Sequence, residues 1–466
     1  MKALYQSLLL TIGGLAVAGT ALAQVPSGND TSDTNGNTGV GTFALGGPAA
    51  TNGGFYNTAI GVQALQNNTT GSSNAASGYL ALNNNNTGSS NTASGYAALF
   101  KNTTGNNNTA NGQGALANNT TGSSNTASGL GALGNNTIGS SNTASGYQAL
   151  HNNTADDNTA TGFQALELNT TGTLNNAVGW HALASNTTGS RNNAWGGNAL
   201  QSNTTASDNN AMGTNTLTDN TTGSLNNAVG NFAMEFNTTG NNNNAVGYGA
   251  LLHNTIGGDN NAQGYFALAN NTTGDLNIGI GYQAGVNQTT GSQNIYIGHR
   301  GVAGENHVIR IGSTSTPSVQ NTTYIAGIAG VNVTGAAVVV NSSGQLGVVS
   351  SSRRYKEDIA PLGDVSERLY QLRPVSFRYK KPDEHGRKPV QFGLVAEDVA
   401  AVFPELVVYG ADGEPQTVAY QTLATLLLNE LQKQRDAAKL QAARLDALES
   451  RVSEMAATPT RLKQVR

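Results

Sequence analysis

The densest chemistry in this chain lies in one short run, Ser351-Ser352-Arg353-Arg354-Tyr355-Lys356-Glu357-Asp358-Ile359. A serine hydroxyl is a poor nucleophile until a base takes its proton, and a lysine amine can do that only when its pKa is lowered. Burial between chains, with Arg353 and Arg354 beside it in sequence, would push Lys356 in that direction. The plainer alternative is a polar, basic hinge. Glu397 and Asp398 form an acidic pair, but their place before a helix start suggests capping or surface duty. Asp156 and Asp157 are adjacent but do not recur in the repeats around them, so paired carboxylates for glycan hydrolysis are not built there. His385, in Lys381-Pro382-Asp383-Glu384-His385-Gly386, reads as a solvent-exposed loop residue. The chain has no cysteine, which excludes disulfides and thiolate metal sites. No cofactor-binding or metal site is expected.

What must position this segment is mostly a repeat of 17 residues. Its units open at Asn57, Asn74, Asn91, Asn108, Asn125 and Asn142, then at Asn158 after one missing residue, and continue to Asn294. Glycine stands at the fifth place of every unit (Gly61, Gly78 and so on to Gly298), and Leu or Met at the ninth until late in the array. Self-similarity at a fixed period implies stacked coils, each touching only its neighbours. In the shortened unit, Asn142, Ala144 and Gly146 should share one face of a short strand, with Thr143, Ser145 and Tyr147 on the other. The glycine is expected to make a bend or a close approach that a Cβ would block. Identical asparagines one coil apart should stack their amides into a ladder.

One coil offers two alanines, one leucine and one larger residue such as Val178, Trp195 or Val229 for burial. Ordering costs about 1–2 kcal/mol per residue, so this apolar content predicts association of several chains. Small Ala and Gly residues would also suit close approach around an axis. The many Asn-x-Thr triplets read as turn residues rather than glycan acceptors. Adjacent threonines such as Thr69-Thr70 and Thr120-Thr121 point to opposite sides of any strand, which argues against an ice-binding array.

The first 350 residues hold 5 basic and 11 acidic side chains, against 18 and 16 in residues 351–466. So weakly charged a repeat offers no basic stripe for nucleic acid. Lys2, the apolar run Leu8 to Val17 and Ala21-Leu22-Ala23 before Gln24 read as a secretory signal. Export to a bacterial cell surface or the extracellular space follows as an expectation, with the periplasm as the other destination.

The Asn-x-Ala-x-Gly strand and its following Ala resemble the head repeats of trimeric autotransporter adhesins, over roughly residues 37–300. That resemblance implies left-handed parallel β-rolls in trimers. The present repeat is longer, with the extra residues in the Asn-Asn-Thr-Thr-Gly loop, and the polar C-terminal helix differs from that family's membrane β-barrel. A second resemblance covers about residues 348–435. It rests on Ser351 to Ile359, Leu372-Arg373-Pro374-Val375-Ser376-Phe377-Arg378-Tyr379, Phe392 to Val399, Phe403-Pro404-Glu405-Leu406 and Val418-Ala419-Tyr420. This ordered series resembles the C-terminal intramolecular chaperone of phage endosialidases and tail spikes, also found in a membrane-bound myelin regulatory factor. The resemblance implies a domain that trimerises, guides the fibre's folding and then cuts itself off with a Ser-Lys dyad. Carried over residue by residue, the pattern Ser-Asp-x-Arg-x-Lys makes Ser351 the nucleophile, Arg354 the matching arginine and Lys356 the general base. The scissile bond is then Ser350–Ser351. Ser352 stands where the pattern has Asp, which makes it an alternative nucleophile.

The last stretch places Leu427, Leu431, Gln434, Ala438, Gln441, Leu445, Leu448, Val452 and Met455 at alternating steps of four and three, a coiled-coil seam. The expected chain is mainly β. It has a signal peptide (1–23), a low-complexity lead-in (24–56), a β-solenoid shaft (57–300), a β-stalk (301–350), a small α+β chaperone and autoprotease domain (351–435) and a coiled-coil tail (436–466). The expected protein is an exported homotrimeric fibre or adhesin, acting once on itself as a serine endopeptidase. It would meet a host-cell or glycan ligand, with no small-molecule cofactor. A phage tail fibre and a structural envelope protein with a non-cleaving trimerisation domain are the alternatives.

Overall fold

The computed structural model describes residues 33–46, 53–313, 335, 337–341, 345–383, 385–410 and 412–461. The expected signal peptide (1–23) lies outside the described residues, as does much of the expected β-stalk (301–350). Two compact units are present, Met1–Tyr324 and Ile325–Arg466.

The first unit is a parallel β-solenoid. Strands β1 (Thr38–Val40) to β17 (Ile309–Ile311) form one 17-stranded sheet in which each coil contributes one three-residue strand. Neighbours pair in parallel at equivalent positions: Thr126↔Thr143, Ala127↔Ala144 and Ser128↔Ser145 for β6 (Thr126–Ser128) and β7 (Thr143–Ser145). The sheet thus begins one coil before Asn57 and ends one strand after β16 (Ile295–Ile297).

The alternation expected within a strand is present. Ala144 is fully buried, while Thr143 and Ser145 face solvent. Ala149 and Leu150 complete the apolar filling of that coil, both fully buried. The rest of the interior is amide. Asn125 takes its place at a buried rung: its Nδ2 donates to Asn108 Oδ1 (3.1 Å) and Gly139 O (2.8 Å). In turn its Oδ1 accepts from the Asn142 backbone N–H (3.0 Å) and Asn142 Nδ2 (3.1 Å). A second buried ladder runs through the twelfth position, as in Asn119 Nδ2 to Asn102 Oδ1 (2.7 Å) and to Gly122 O (2.9 Å). Buried polar groups are tolerated when partnered, and here most rungs partner the next, with Asn136 Oδ1 and Asn271 Oδ1 as exceptions.

The larger residues do not fill the coil. Trp195 is 49% exposed, and Val178 and Val229 are half-buried, because position four of the strand points away from the interior. The small Ala residues that could have lined an axis between chains are inside each coil instead. Two backbone devices close the coil. Gly146 sits at φ +138°, and a Cβ there would lie 2.3 Å from Gly162 O in the next coil. Leu150 adopts φ +51°, a left-handed conformation that L-residues avoid, which turns its side chain inward.

The shortened unit trims its loop, keeps the first ladder through the Asn158 backbone N–H to Asn142 Oδ1 (2.9 Å) and interrupts the second. Asn142 Nδ2 and Asn153 Nδ2 both donate to Ala155 O, at 2.8 and 2.7 Å, where other coils use a glycine carbonyl. The defect shows one coil earlier, where Asn136 Oδ1 has no partner. Near the far end the filling changes hands: Tyr296 is fully buried at the place of a strand alanine. Gly285 stands at the ninth position, where a Cβ would lie 2.6 Å from both Tyr296 Cδ2 and Leu268 Cδ2. Glu305, bound by Arg310 at 2.7 Å, closes that end.

In the second unit, β18 (Val339–Val340) and β19 (Leu346–Gly347) pair antiparallel, as do β20 (Val375–Phe377) with β21 (Gln391–Gly393) and β22 (Val407–Tyr409) with β23 (Pro415–Val418). A 3₁₀ segment spans Gly363–Gln371; helix α1 covers Ala396–Val402 and helix α2 covers Tyr420–Arg461. The core is small: Val399, Phe403, Leu406, Val407, Val418 and Leu426. Among the described residues, no helix is long and apolar enough to cross a membrane.

Candidate active site

The segment from Val348 to Ser352 has no regular structure and is exposed. It runs into a single 3₁₀ turn, Arg353–Tyr355, closed by Tyr355 N–H to Ser352 O and Lys356 N–H to Arg353 O, both 3.1 Å. That turn reverses the chain by enough to bring residue 356 back over residue 351. Lys356 Nζ donates to Ser351 Oγ at 3.2 Å. Ser352 occupies the N-cap of the turn and its side chain makes no capping hydrogen bond. The Arg354 guanidinium lies over the Tyr355 ring, 4.9 Å from its centre, which holds its charge beside the turn.

Ser350, Ser351, Ser352, Arg353, Arg354 and Lys356 are all exposed in the single chain. Desolvation that would free the amine has to come from another surface laid over the turn. The other sequence candidates do not join this group. Glu397 and Asp398 occupy the first turn of α1, where Asp398 meets Arg373 at 3.5 Å. His385 is exposed, and its backbone N–H donates to Asp383 Oδ1. Asp156 is spent on the Ser140 backbone N–H at 2.6 Å, within a shaft turn. Among the described residues, no cluster of His, Asp and Glu could hold a metal ion.

A network that sequence reasoning missed ties α2 to the 3₁₀ segment. Fully buried Ser366 donates to Glu430 Oε1 (2.5 Å) and receives Asn429 Nδ2 (2.6 Å). Lys433 Nζ lies 2.9 Å from Asp364, 3.2 Å from Glu367 and 3.4 Å from Glu430. The Ser366 hydrogen bond holds the Glu430 carboxyl below the usual carboxylate range, and Asp364 first among its partners holds the Lys433 ammonium above the usual lysine value. Arg368 stacks 3.8 Å from the centre of the Phe403 ring and pairs with Glu405. Beyond this anchorage, Leu431, Leu445, Leu448, Val452 and Met455 on α2 are exposed.

The chain matches no curated protein and no solved structure. Residues 351–408 match the family model described as chaperone of endosialidase. The match starts on the serine that Lys356 contacts and covers the 3₁₀ segment, β20, β21, α1 and most of β22. The second unit therefore carries a chaperone-of-endosialidase domain, placed in the chain behind a parallel β-solenoid.

Proposed function

We propose that this chain is a trimeric fibre whose C-terminal domain assembles and folds the shaft, then cuts itself off at Ser350–Ser351. The coarser part follows from the family, which implies trimeric assembly in general and a tail-fibre-like or extracellular protein. The finer part rests on one observation, the 3.2 Å contact of Lys356 Nζ with Ser351 Oγ.

The chemistry balances within the chain. Neutral Lys356 takes the Ser351 hydroxyl proton as Oγ attacks the carbonyl carbon of Ser350. The Ser350–Ser351 C–N bond breaks, and the proton passes to the departing Ser351 amine. An ester joins Ser350 to Ser351 Oγ until water hydrolyses it. Neutral Lys356 requires desolvation, which the exposed turn of one chain does not supply and a neighbouring chain would. Cutting is thereby tied to assembly. The exposed heptad face of α2 supports a three-chain seam, and its heptads continue well beyond the Ser366 anchorage.

The apolar run before Gln24 supports export, and the shaft's even loop spacing supports multivalent binding of a host-cell or glycan ligand. Cleavage is tested with wild type, Ser351→Ala, Ser352→Ala and Lys356→Ala chains on a denaturing gel. Release of residues 351–466 by wild type and Ser352→Ala, and by neither other variant, is expected. A wild-type chain that stays intact when trimeric refutes the protease assignment.

A further inference from the structure

The shaft carries an exposed apolar stripe that the proposed cleavage does not use. At the sixth position of the coil, rings recur on the outside and stack along the axis. Tyr79 and Tyr96 lie 5.7 Å apart, Tyr147 and Phe163 5.0 Å, and Tyr265 and Tyr282 5.5 Å, all with exposed side chains. In the coils opening at Asn192 and Asn209 the sixth position is Gly197 and Thr214, without a ring. There the fourth position carries Trp195 and Met212, both exposed. The stripe shifts sideways by two residues there, and it is interrupted in the coil opening at Asn108, where the two positions are Asn111 and Gln113.

We infer that this stripe is the face on which copies of the chain pack side by side along the shaft. The inference rests on the trimeric reading above and names the surface that reading leaves open. Three observations favour another copy over other occupants. First, no Lys, Arg, Asp or Glu stands at the fourth or sixth position of any coil from Asn57 to Asn277, so identical copies can face one another without like-charge repulsion. Second, several ring pairs along the stripe are nearly parallel, at 10° for Tyr147–Phe163, 15° for Tyr248–Tyr265 and 4° for Tyr265–Tyr282, while Tyr79–Tyr96 is tilted by 37°. Each stacked ring covers its neighbour's face, which leaves edges outward for interdigitation and few free faces for a sugar to stack on. Third, the area suffices. Thirteen coil steps of about 4.8 Å make a stripe about 60 Å long. At roughly 12 Å wide it offers about 700 Å² per copy, close to the ~800 Å² per partner of a stable interface. Trp180, Trp195 and Met212 occur once each along the face, so they distinguish one coil from the next and penalise a slipped register.

The full-length chain has no cysteine, so single cysteines report contacts cleanly. Met212→Cys and Ile280→Cys lie on the stripe; Thr222→Cys lies in the same coil as Met212 but on an exposed loop; Leu448→Cys reports the α2 seam. Each variant is treated with a short bis-maleimide, whose two rings each add one thiol, and run under denaturing conditions. Covalent dimers at both stripe positions and none at Thr222→Cys are expected. Crosslinking at Leu448→Cys without either stripe position overturns the inference while the trimer reading stands. Crosslinking at Thr222→Cys as strong as at Met212→Cys overturns it as well. Stripe crosslinks without Leu448→Cys support the inference and remove the α2 seam. No crosslink at any of the four overturns both readings.

Discussion

Replacing Asn125 by alanine should cost more than removing a whole coil. Asn125→Ala deletes a buried side chain that serves both adjacent coils. It strips the buried Asn142 backbone N–H of its acceptor, while Gly139 O keeps a second amide donor, Asn136 Nδ2 at 2.9 Å. One orphaned buried group costs about 1–3 kcal/mol. A solenoid spreads little of that strain, because each coil contacts only its neighbours. Local opening free energy around residues 109–142 should fall by the full amount. At about 1.4 kcal/mol per tenfold, amide exchange there accelerates by about 5-fold to about 100-fold. Exchange near Asn277 should stay unchanged.

Deletion of residues 108–124 supplies the contrast. It removes 17 residues but leaves Asn91 followed by Asn125 at the same spacing, so every rung keeps a partner. Exchange protection in the remaining coils should match wild type. Hydrogen exchange read by mass spectrometry compares the two variants directly. An Asn125→Ala chain with less than threefold acceleration, or a deletion that unprotects the flanking coils, refutes the ladder as the source of coil-to-coil stability.

Gly146→Ala should separate β7 from the next coil, since its Cβ meets Gly162 O at 2.3 Å and φ +138° is strained for alanine. A cost of about 1–3 kcal/mol from backbone strain alone is expected, read as new protease cleavage near Thr161. Tyr296→Ala should cost about 3–5 kcal/mol in a thermal melt. Gly285→Leu should be destabilising alone but partly rescue Tyr296→Ala, because leucine and the Tyr296 ring compete for one space. The α2 anchorage should hold only at intermediate pH. The depressed Glu430 carboxyl contributes stability above its unfolded pKa of about 4.3 and loses it as pH falls through the folded value. The raised Lys433 contributes below about 10.4 and loses it as pH climbs through its higher folded value. Amide exchange at the start of α2 should accelerate at both extremes, and Glu430→Gln should remove the acid limb.

Periodicity made the coil readable: a residue type that returns every 17 positions must return to the same place. Asn, Ala, Gly and Leu at the first, third, fifth and ninth places therefore gave up their roles as ladder, filling, close approach and filling. The fourth position misled because Trp195 and Val178 are apolar, and apolarity alone was taken for burial; in a strand whose third residue is inside, the fourth must be outside. The Asn-Asn-Thr run was read as turn chemistry, yet its second asparagine, such as Asn119, is a fully buried rung. Nothing in leucine's own preferences announces the φ +51° of Leu150, which the stacked coils impose. The Ser366–Glu430 contact joins residues 64 apart with no repeat between them to align, so no local signal could have shown it. Ser351 and Lys356 were legible because one tight turn separates them.

The property that makes the shaft readable also makes it ambiguous to fold. If one coil can be deleted at little cost, two chains offset by one coil keep nearly every rung and most side-by-side contacts. Energy from the ladder then cannot choose the register. The choice must come from features that do not repeat. These are the shortened unit at Asn142 and Trp180, Trp195 and Met212 along the middle of the shaft, then the Tyr296 plug with Gly285 and the chaperone domain on the C-terminal side. Assembly begun from that side meets the Tyr296 plug before the repeats, whereas assembly begun near β2 (Thr58–Ile60) lays down near-identical coils first and reaches that plug last. Register information is needed only once in such an order. After the coils are stacked, the Asn rungs and close-packed glycines hold them without it.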